Sequence, residues 1–420
     1  MPKENFFNLV QMEINRIDES KTEKRHEKVI EGFDENQRAI IEGKKYLIFN
    51  SNDYLGLRFN KKINKAEEEA SKKYGSGPGA VRFISGTMKV HKDLEKKIAN
   101  FHKREDAMIF SSAFAANMAV LHCIIKGQSK TSLVDANTLV ISDELNHRSI
   151  IDGIRVAGLS KENKAIFKHM DLDNLDQILE ENKEKFKRVL VVADGIFSML
   201  GECIDVGKMQ KIIEKHDKNY EQGIISAIDD SHGVACFGKT GRGCEEKTSG
   251  HCDLLIGTLG KGFGCDGGYI AGKKVLIDYM RESCSTYIYS NPISPGTAGA
   301  ALESLNIVDS DEGLKMLENL GKNIIYFKEK MKDAGFIFAA DSIHPIQPVL
   351  IGDAHKTKAL TEKLFKLGVL VTNINYPVVP KGKDEIRVQI SAAHTKEELD
   401  EFLEKIILAG KELEIIKKKN

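Results

Sequence analysis

From residue 107 onward, short apolar runs alternate with longer segments in which apolar residues recur every three to four positions. The longer segments, such as residues 173–186 and 207–216, are typical of amphipathic helices. Alternation of this kind predicts an α/β fold with a mostly parallel sheet that helices cover on both faces. The predicted strands of this sheet are residues 107–110, 138–142, 188–193, 224–228 and 254–258.

Residues 1–45 mix charged residues with spaced apolar ones, a pattern that predicts an amphipathic helix packed on another part of the protein. Residues 49–56 interrupt it with polar, turn-favouring residues, and residues 61–74 have the composition of a helix. We therefore expect an N-terminal helical segment and substrate loop over residues 1–60, followed by a large domain.

A second change of pattern follows Pro292 and Pro295, where a long helix begins near Thr297. We expect the large domain to span residues 61–296 and a smaller α+β domain to span residues 297–420. The strands predicted for the small domain are residues 336–339, 346–351, 369–372 and 386–390.

Polar residues follow each predicted strand of the large domain at the position where that strand ends. In open parallel sheets, ligands bind in the crevice beyond the carboxyl ends of the strands. We therefore expect one shared site to be formed by residues 111–112, 143–147, 194–198, 229–232 and 258–261.

Composition narrows the classes of partner. The 62 basic residues equal the 62 acidic ones, which argues against nucleic acid or an acidic membrane surface as the main partner and favours a small molecule. Seven cysteines are scattered without a C-x-x-C pair, so neither a disulfide framework nor a zinc site is predicted. With no bilayer-length apolar run and no signal-peptide pattern, we expect a cytoplasmic protein.

Lys261 stands out because it follows a predicted buried strand and lies between Gly260 and Gly262. A lysine desolvated at such a position can lose its proton and attack a carbonyl group. Taken alone, the same residues also suit a solvated lysine in a flexible glycine loop.

Other residues supply what a carbonyl cofactor at Lys261 would need. Asp229 could pair with a heterocyclic nitrogen, or it could simply cap a helix. His232 could reach a phenolic oxygen and His147 could stack on a ring, although either could be an ordinary loop histidine. Ser198 is a candidate hydrogen-bond donor. The helix start at residues 111–117 offers free amides for a phosphate, although serine often opens helices for capping alone.

Together, the motifs resemble those of the α-oxoamine synthases, pyridoxal 5'-phosphate enzymes of fold type I that condense an amino acid with an acyl-CoA. The resemblance runs from about residue 45 to 410 in the order of the family. The motifs that carry it lie at residues 52–56, 81–87 with His91, 143–147, 194–199, 229–232, 257–261, 289–291 and 391–395.

This resemblance implies a role for each matched residue. Lys261 would bind pyridoxal phosphate covalently and act as the base, and Asp229 would pair with the ring nitrogen. The remaining cofactor contacts it implies are His147 on the ring face, Ser198 and His232 at the phenolic oxygen, and Thr258 with the amides of Ala113 and Phe114 at the phosphate. Lys261, His147, Asp229 and His232 form the implied catalytic set.

The family's shared dimer site also implies contacts outside this set. Ser290 would reach the cofactor of a neighbouring subunit, which predicts a homodimer, and the adjacent Tyr289 is implied as a further cofactor contact. Asn52 and Arg387 resemble the ligands of the substrate carboxylate. No metal is implied.

Within the family, residues 81–87, 149–153 and 376–382 most resemble the glycine C-acetyltransferases. This implies condensation of glycine with acetyl-CoA to give 2-amino-3-oxobutyrate and CoA. The segment at residues 262–268 is one residue shorter than is usual in those enzymes, and Ala113 replaces a common cysteine. Both departures touch the cofactor pocket and leave acyl-chain selectivity open.

Three alternatives stay open. A sister synthase would use alanine with pimeloyl-CoA to give 8-amino-7-oxononanoate, or glycine with succinyl-CoA, or would be promiscuous. A catalytically inactive structural subunit of a heteromeric synthase would tolerate loss of Lys261, which is present here. An aminotransferase on the same fold would need no CoA.

Overall fold

A computed structural model describes residues 2–20, 23–129, 131–376 and 378–417 of the 420-residue chain. Pro377, within one of the segments that resemble the glycine C-acetyltransferases, lies outside the described residues. Backbone contacts separate two units, Met1–Ile48 and Phe49–Asn420. The domain boundaries expected at residues 60 and 296 stay a prediction.

The smaller unit contains one helix followed by three short strands. The helix α1 (Pro2–Glu19) is followed by β1 (Gly32–Phe33), β2 (Ala39–Ile41) and β3 (Lys44–Ile48), which pair in this order as an antiparallel ribbon. The helix predicted for the first 45 residues is therefore confirmed only up to Glu19. Beyond it, β-branched and aromatic residues favour extended backbone.

A seven-stranded sheet forms the centre of the larger unit. Its strands are β4 (Asp106–Phe110), β5 (Thr138–Asp143), β6 (Lys164–Phe167), β7 (Arg188–Asp194), β8 (Ile224–Asp229), β9 (Leu254–Thr258) and β10 (Gly268–Gly272). They lie in the order β4–β10–β9–β8–β7–β5–β6. Only β10 runs antiparallel to its two neighbours; the other neighbouring strands are parallel.

All five strands predicted for this sheet are confirmed, as is the mostly parallel arrangement. The strands β6 and β10 are absent from the prediction. β6 is an edge strand with exposed positions, so its apolar run is short. β10 begins and ends with glycine, which weakens strand propensity and conceals it in the sequence.

Helices cover both faces of the sheet. The helices of this part of the chain are α2 (Lys61–Tyr74), α3 (Lys89–Phe101), α4 (Ala113–Ile125), α5 (Arg148–Val156), α6 (Leu172–Glu181), α7 (Val206–His216), α8 (Cys244–Thr248), α9 (Lys274–Ser283), α10 (Ser285–Ile288) and α11 (Pro295–Val308). Alternate residues of each strand face opposite layers: Val189 and Val191 join the apolar cluster under α6 and α7, whereas Leu190 and Val192 join the cluster under α4 and α9. Burial on both faces explains why these strands read as continuous apolar runs.

The C-terminal part of the larger unit is α+β. Its elements are α12 (Asp311–Asp333), β11 (Ile337–Phe338), β12 (Ile346–Leu350), α13 (Ala354–Lys366), β13 (Val369–Leu370), β14 (Thr372–Ile374), β15 (Glu385–Gln389) and α14 (Lys396–Glu412). An antiparallel sheet in the order β11–β12–β15–β14 contains three of the predicted strands, and the fourth, residues 369–372, divides between β13 and β14. Among the described helices, none is long and apolar enough to cross a membrane.

Candidate active site

The carboxyl ends of β7, β8 and β9 and the amino ends of α4 and α5 meet around one cavity. Four of the five expected clusters supply polar lining residues, as the crevice rule for parallel sheets requires, whereas residues 111–112 only precede the lining residues Ala113 and Phe114. The cavity is lined by Ala113, Phe114, Asn117, His147, Ser149, Asp194, Ile196, Ser198, Asp229, Ser231, His232, Thr258 and Lys261.

Lys261 follows β9 and is partly exposed in this cavity. Burial lowers the pKa of its ammonium group to about 8, although the negative charges of Asp229 and Asp194 counteract part of that shift. The Arg387 charge lowers the pKa further. A lysine with such a pKa exchanges its proton near neutral pH, so it can serve as a nucleophile or as a base.

Asp229 ends β8 and is almost fully buried. Its Oδ2 atom accepts a hydrogen bond of 2.5 Å from Asn117 Nδ2, and its Oδ1 atom accepts one of 3.0 Å from the backbone N–H of Ser231. Two donors therefore hold this carboxylate in one orientation at the cavity wall.

Asp194 lies beside Asp229 on the neighbouring parallel strand. Burial and the Asp229 charge raise the pKa of Asp194 well above its usual range, which favours its protonated form. Its Oδ2 atom accepts from the backbone N–H of His147 at 3.1 Å, whereas Oδ1 has no hydrogen-bond partner among the described residues.

His147 caps the start of α5. Its Nδ1 atom lies 2.7 Å from Ser149 Oγ, and Ser149 Oγ accepts a hydrogen bond of 2.9 Å from Asn117 Nδ2. Partial burial lowers the pKa of His147, which favours a neutral imidazole. A neutral aromatic ring beside the cavity suits stacking on a planar cofactor.

His232 connects the cavity to residue 52. Its Nδ1 atom is 2.7 Å from Tyr54 Oη, and Tyr54 in turn donates to Asn52 Oδ1 at 3.2 Å. Gln389 Nε2 donates to the same Asn52 oxygen at 2.5 Å. Burial lowers the pKa of His232 well below its usual range, and the nearby positive charges of Lys261 and Arg387 lower it further. Asn52 therefore does not line the cavity, but it is linked by hydrogen bonds through Tyr54 to His232, which does.

Arg387 lies on β15, outside the cavity lining but near it. Its charge lowers the pKa of both Lys261 and His232. Its buried Nε and Nη2 atoms have no hydrogen-bond partner among the described residues. A buried guanidinium with free donors is well suited to bind a carboxylate in a bidentate manner.

The start of α4 has the features of a phosphate site. Ser112 caps the helix by accepting from the backbone N–H of Ala115 at 3.1 Å, which leaves the first amides, those of Ala113 and Phe114, without an intrahelical partner. A Cβ atom on Gly268 would lie only 2.2 Å from the nitrogen of Ala113, so β10 can approach the helix start only with glycine there. Thr258 faces the same cavity.

Of the other predicted residues, Ser198 lines the cavity, whereas Tyr289 and Ser290 do not. The Tyr289 side chain is 81% exposed. The contact of Ser290 with a cofactor across a subunit interface, and that of Tyr289 with the cofactor, stay predictions.

Five lining residues had no role in the sequence analysis: Asn117, Ser149, Asp194, Ile196 and Ser231. Asn117 carried a usable signal, because it lies one helical turn after Ala113 and is a polar residue in an otherwise apolar helix. Asp194 lay within a matched motif at a strand end. Ile196 and Ser231 also lay within matched motifs, at residues 194–199 and 229–232, but no role was assigned to either.

These features fit pyridoxal phosphate. The free amides of α4 suit its phosphate, the doubly bonded Asp229 carboxylate suits its ring nitrogen, and Lys261 suits its aldehyde. Ser231 Oγ and Asp194 Oδ1 are buried at the cavity without a partner among the described residues, as expected where a polar ligand completes the hydrogen bonding.

Comparisons with known proteins agree with this fit. The family model described as aminotransferase class I and II matches residues 44–406. The 8-amino-7-oxononanoate synthases of Thermosipho melanesiensis and Thermoanaerobacter pseudethanolicus are 42% and 39% identical to the chain, with 90% of this chain and 91% of each relative covered. A serine palmitoyltransferase variant from S. paucimobilis, solved with a bound PLP–myriocin aldimine, matches with a TM-score of 0.86 and 25% identity, covering 98% of this chain and 99% of that one.

These relatives favour the sister-synthase alternative over the glycine C-acetyltransferase reading, for which the comparisons give no support. These matches extend the resemblance over nearly the whole chain. They agree with the site, where Lys261, Asp229 and the start of α4 meet at one cavity. The chain therefore belongs to the aminotransferase class I and II family and, within it, to the α-oxoamine synthases, which makes it a pyridoxal-phosphate-dependent enzyme of the acyltransferase type.

Proposed function

We propose that this enzyme is an 8-amino-7-oxononanoate synthase that condenses alanine with pimeloyl-CoA. The observation that carries the proposal is its 42% identity to a synthase of that name over 90% of the chain. The product name also fixes the carbon balance. A seven-carbon pimeloyl group and three-carbon alanine contain ten carbons, so a nine-carbon product requires loss of the alanine carboxylate as carbon dioxide.

The proposed cofactor residues are those predicted from the sequence. Bound pyridoxal phosphate supplies an electron sink that stabilises negative charge at the amino acid's α-carbon. The residues proposed to hold it are Lys261 at the aldehyde, Asp229 at the ring nitrogen, His147 at the ring face, Ser198 and His232 at the phenolic oxygen, and Ala113, Phe114 and Thr258 at the phosphate.

Lys261 is the proposed base. With a pKa of about 8 it is divided between its neutral and charged forms near neutral pH, so it can take a proton from the α-carbon and return one later. Asp229, fixed by Asn117 and the Ser231 amide, keeps its negative charge directed at the cavity. That charge favours protonation of a ring nitrogen placed against it.

Arg387 and Asn52 are the proposed ligands of the amino acid carboxylate. The unpartnered Nε and Nη2 atoms of Arg387 can donate to both carboxylate oxygens. Holding the carboxylate in place also orients the bond that must break when carbon dioxide leaves.

A homodimer is part of the proposal. Several apolar side chains are exposed: Phe83 and Ile84 are 67% and 68% exposed, Tyr289 is 81% exposed, and Phe114, which lines the cavity, is 45% exposed. A second copy would cover these side chains and could bring Tyr289 and Ser290 to its neighbour's cofactor. We also propose a cytoplasmic location, which rests on the scattered cysteines.

The choice of substrate pair separates the proposed activity from the acetyltransferase alternative. Purified, cofactor-loaded protein is given carboxyl-labelled alanine or glycine with pimeloyl-, acetyl- or succinyl-CoA, and free thiol and labelled carbon dioxide are measured. We expect equal amounts of both from alanine and pimeloyl-CoA. Thiol release from glycine and acetyl-CoA, with none from alanine and pimeloyl-CoA, would instead identify a glycine C-acetyltransferase.

Two further results would contradict the proposal. Preference for glycine and succinyl-CoA would move the substrate assignment to another sister synthase. No thiol from any pair, although the protein binds the cofactor, would favour the structural-subunit alternative. The Lys261→Ala variant is the control for thiol released without the active site.

A further inference from the structure

We propose that Asn117 is a positioning residue that orients Asp229 and His147 together through the two hydrogens of one amide. The inference rests on the proposed function, since both partners are proposed to face the cofactor. It concerns how the cofactor site is held in shape rather than which acyl group is transferred.

The first step is the placement of the amide. Asn117 is 1% exposed, and the neighbouring positions of α4, such as Ala116, Ala119 and Val120, are apolar and buried. A polar side chain in such a layer is costly unless its hydrogens are used. Both are used, because Nδ2 lies 2.5 Å from Asp229 Oδ2 and 2.9 Å from Ser149 Oγ.

The second step is the direction of the hydrogen bonds. Because Asn117 donates to Ser149 Oγ, the hydroxyl hydrogen of Ser149 is free to be donated to His147 Nδ1, 2.7 Å away. The backbone N–H of Ser149 also donates to that nitrogen, at 3.3 Å. Nδ1 is then an acceptor, so the neutral imidazole carries its hydrogen on Nε2. The chain of bonds from Asn117 therefore selects the tautomer of His147.

The third step concerns Asp229. Asn117 occupies Oδ2 and the Ser231 amide occupies Oδ1, so the carboxylate cannot rotate without losing hydrogen bonds. Residue 117 lies one helical turn after the free amides of Ala113 and Phe114. A single helix thus places the proposed phosphate seat and the group that orients the ring partner on the same face.

The test compares the wild-type holoenzyme with Asn117→Leu, which keeps a similar volume but donates no hydrogen bond, and with Ser149→Ala, which removes only the branch to His147. The first measurement is the 15N resonance of cofactor labelled at the ring nitrogen. The second is the rate of α-hydrogen exchange of alanine in deuterated water without acyl-CoA.

We expect Asn117→Leu to shift the resonance toward the unprotonated ring and to slow exchange by about 10- to 100-fold, the loss typical of a hydrogen bond to a charged group. Ser149→Ala should leave the resonance at the wild-type position and alter only the pH dependence of exchange. The KM for acyl-CoA should stay within about twofold in both variants, because neither changes the acyl site.

A wild-type resonance and exchange rate in a folded Asn117→Leu protein would overturn the inference and leave Asn117 as core packing. If that variant does not fold, Asn117→Ser provides the same comparison, since serine is too short to make both bonds. Neither measurement uses acyl-CoA, so a wrong acyl donor in the proposed function would change thiol release and leave this comparison intact.

Discussion

The lowered pKa of Lys261 predicts how fast cofactor-free protein captures pyridoxal phosphate at each pH. Only the neutral amine attacks an aldehyde. A lysine with a pKa of about 8 is neutral in about one molecule in ten at pH 7, whereas at the ordinary value of 10.5 the fraction is about three in ten thousand. The structure therefore predicts capture at pH 7 about 300-fold faster than at an exposed lysine.

The assay mixes cofactor-free protein with pyridoxal phosphate and follows the visible absorbance of the bound form from pH 6 to pH 11. The rate should rise about tenfold per pH unit and level off near pH 8, because protonation then no longer limits attack. Lys261→Ala should lose the absorbance, and Lys273→Ala, at an exposed position, should not. A rate that still rises beyond pH 10 would refute the argument.

Asp229→Asn tests the cause of the shift. The Asp229 charge raises the Lys261 pKa, so its removal should lower that pKa below about 8. Capture at pH 7 should then quicken by up to about tenfold, the limit set by complete deprotonation, while amino acid α-hydrogen exchange is lost. Slower capture in this variant would contradict the predicted effect on the Lys261 pKa and would show that Asp229 promotes capture by binding the cofactor.

Three other predictions concern the cofactor seat, the substrate and stability. Gly268→Ala should weaken cofactor binding by about 10-fold or more in a fluorescence titration, because the added Cβ atom would lie 2.2 Å from the first amide nitrogen of α4. The control is Gly321→Ala, whose added Cβ atom would have no neighbouring atom within 4 Å. This variant should keep wild-type affinity and stabilise α12 by about 0.5–1 kcal/mol. Arg387→Met should raise the KM for the amino acid by about 10- to 100-fold through loss of the free guanidinium donors, whereas Arg148→Met, on an exposed helix position, should leave KM unchanged in the same steady-state assay. Glu95→Gln should lower the free energy of unfolding by about 3–5 kcal/mol, because the buried Arg82 and the partly buried Arg281 lose their anion. Burial opposes ionisation of Glu95, but the neighbouring cations outweigh burial and lower the pKa of Glu95 to about 2. The stability that this ion pair contributes to the wild-type protein should therefore be lost as the pH falls from about 4.5 toward 2. A change in the free energy of unfolding below about 1 kcal/mol, measured by urea unfolding, would contradict this.

Several features of this protein follow from local sequence. The five buried strands were predictable because burial on both faces gives continuous apolar runs. The cofactor was predictable from the resemblance of the motifs, including those that contain Asp229 and Lys261, to the α-oxoamine synthases. The crevice rule then predicted that polar residues distant in sequence would meet, and the cavity lining agrees. The strand and crevice inferences need only the period of a strand and the direction of the chain.

Other features depend on contacts that no local pattern encodes. The hydrogen bond from Asn117 to Asp229 joins residues 112 positions apart, and the lowered pKa of Lys261 comes from burial by residues of several elements. The N-terminal strands and β10 form because a neighbouring strand completes their hydrogen bonds, which weak local propensity does not reveal. The sequence by itself therefore determined the family, the cofactor and the residues able to do the chemistry. The tertiary structure decided which of these residues carry charge, which are held in place and which donors are left free for a substrate. The reason is that charge and hydrogen bonding depend on burial and on neighbours that only the folded chain brings together.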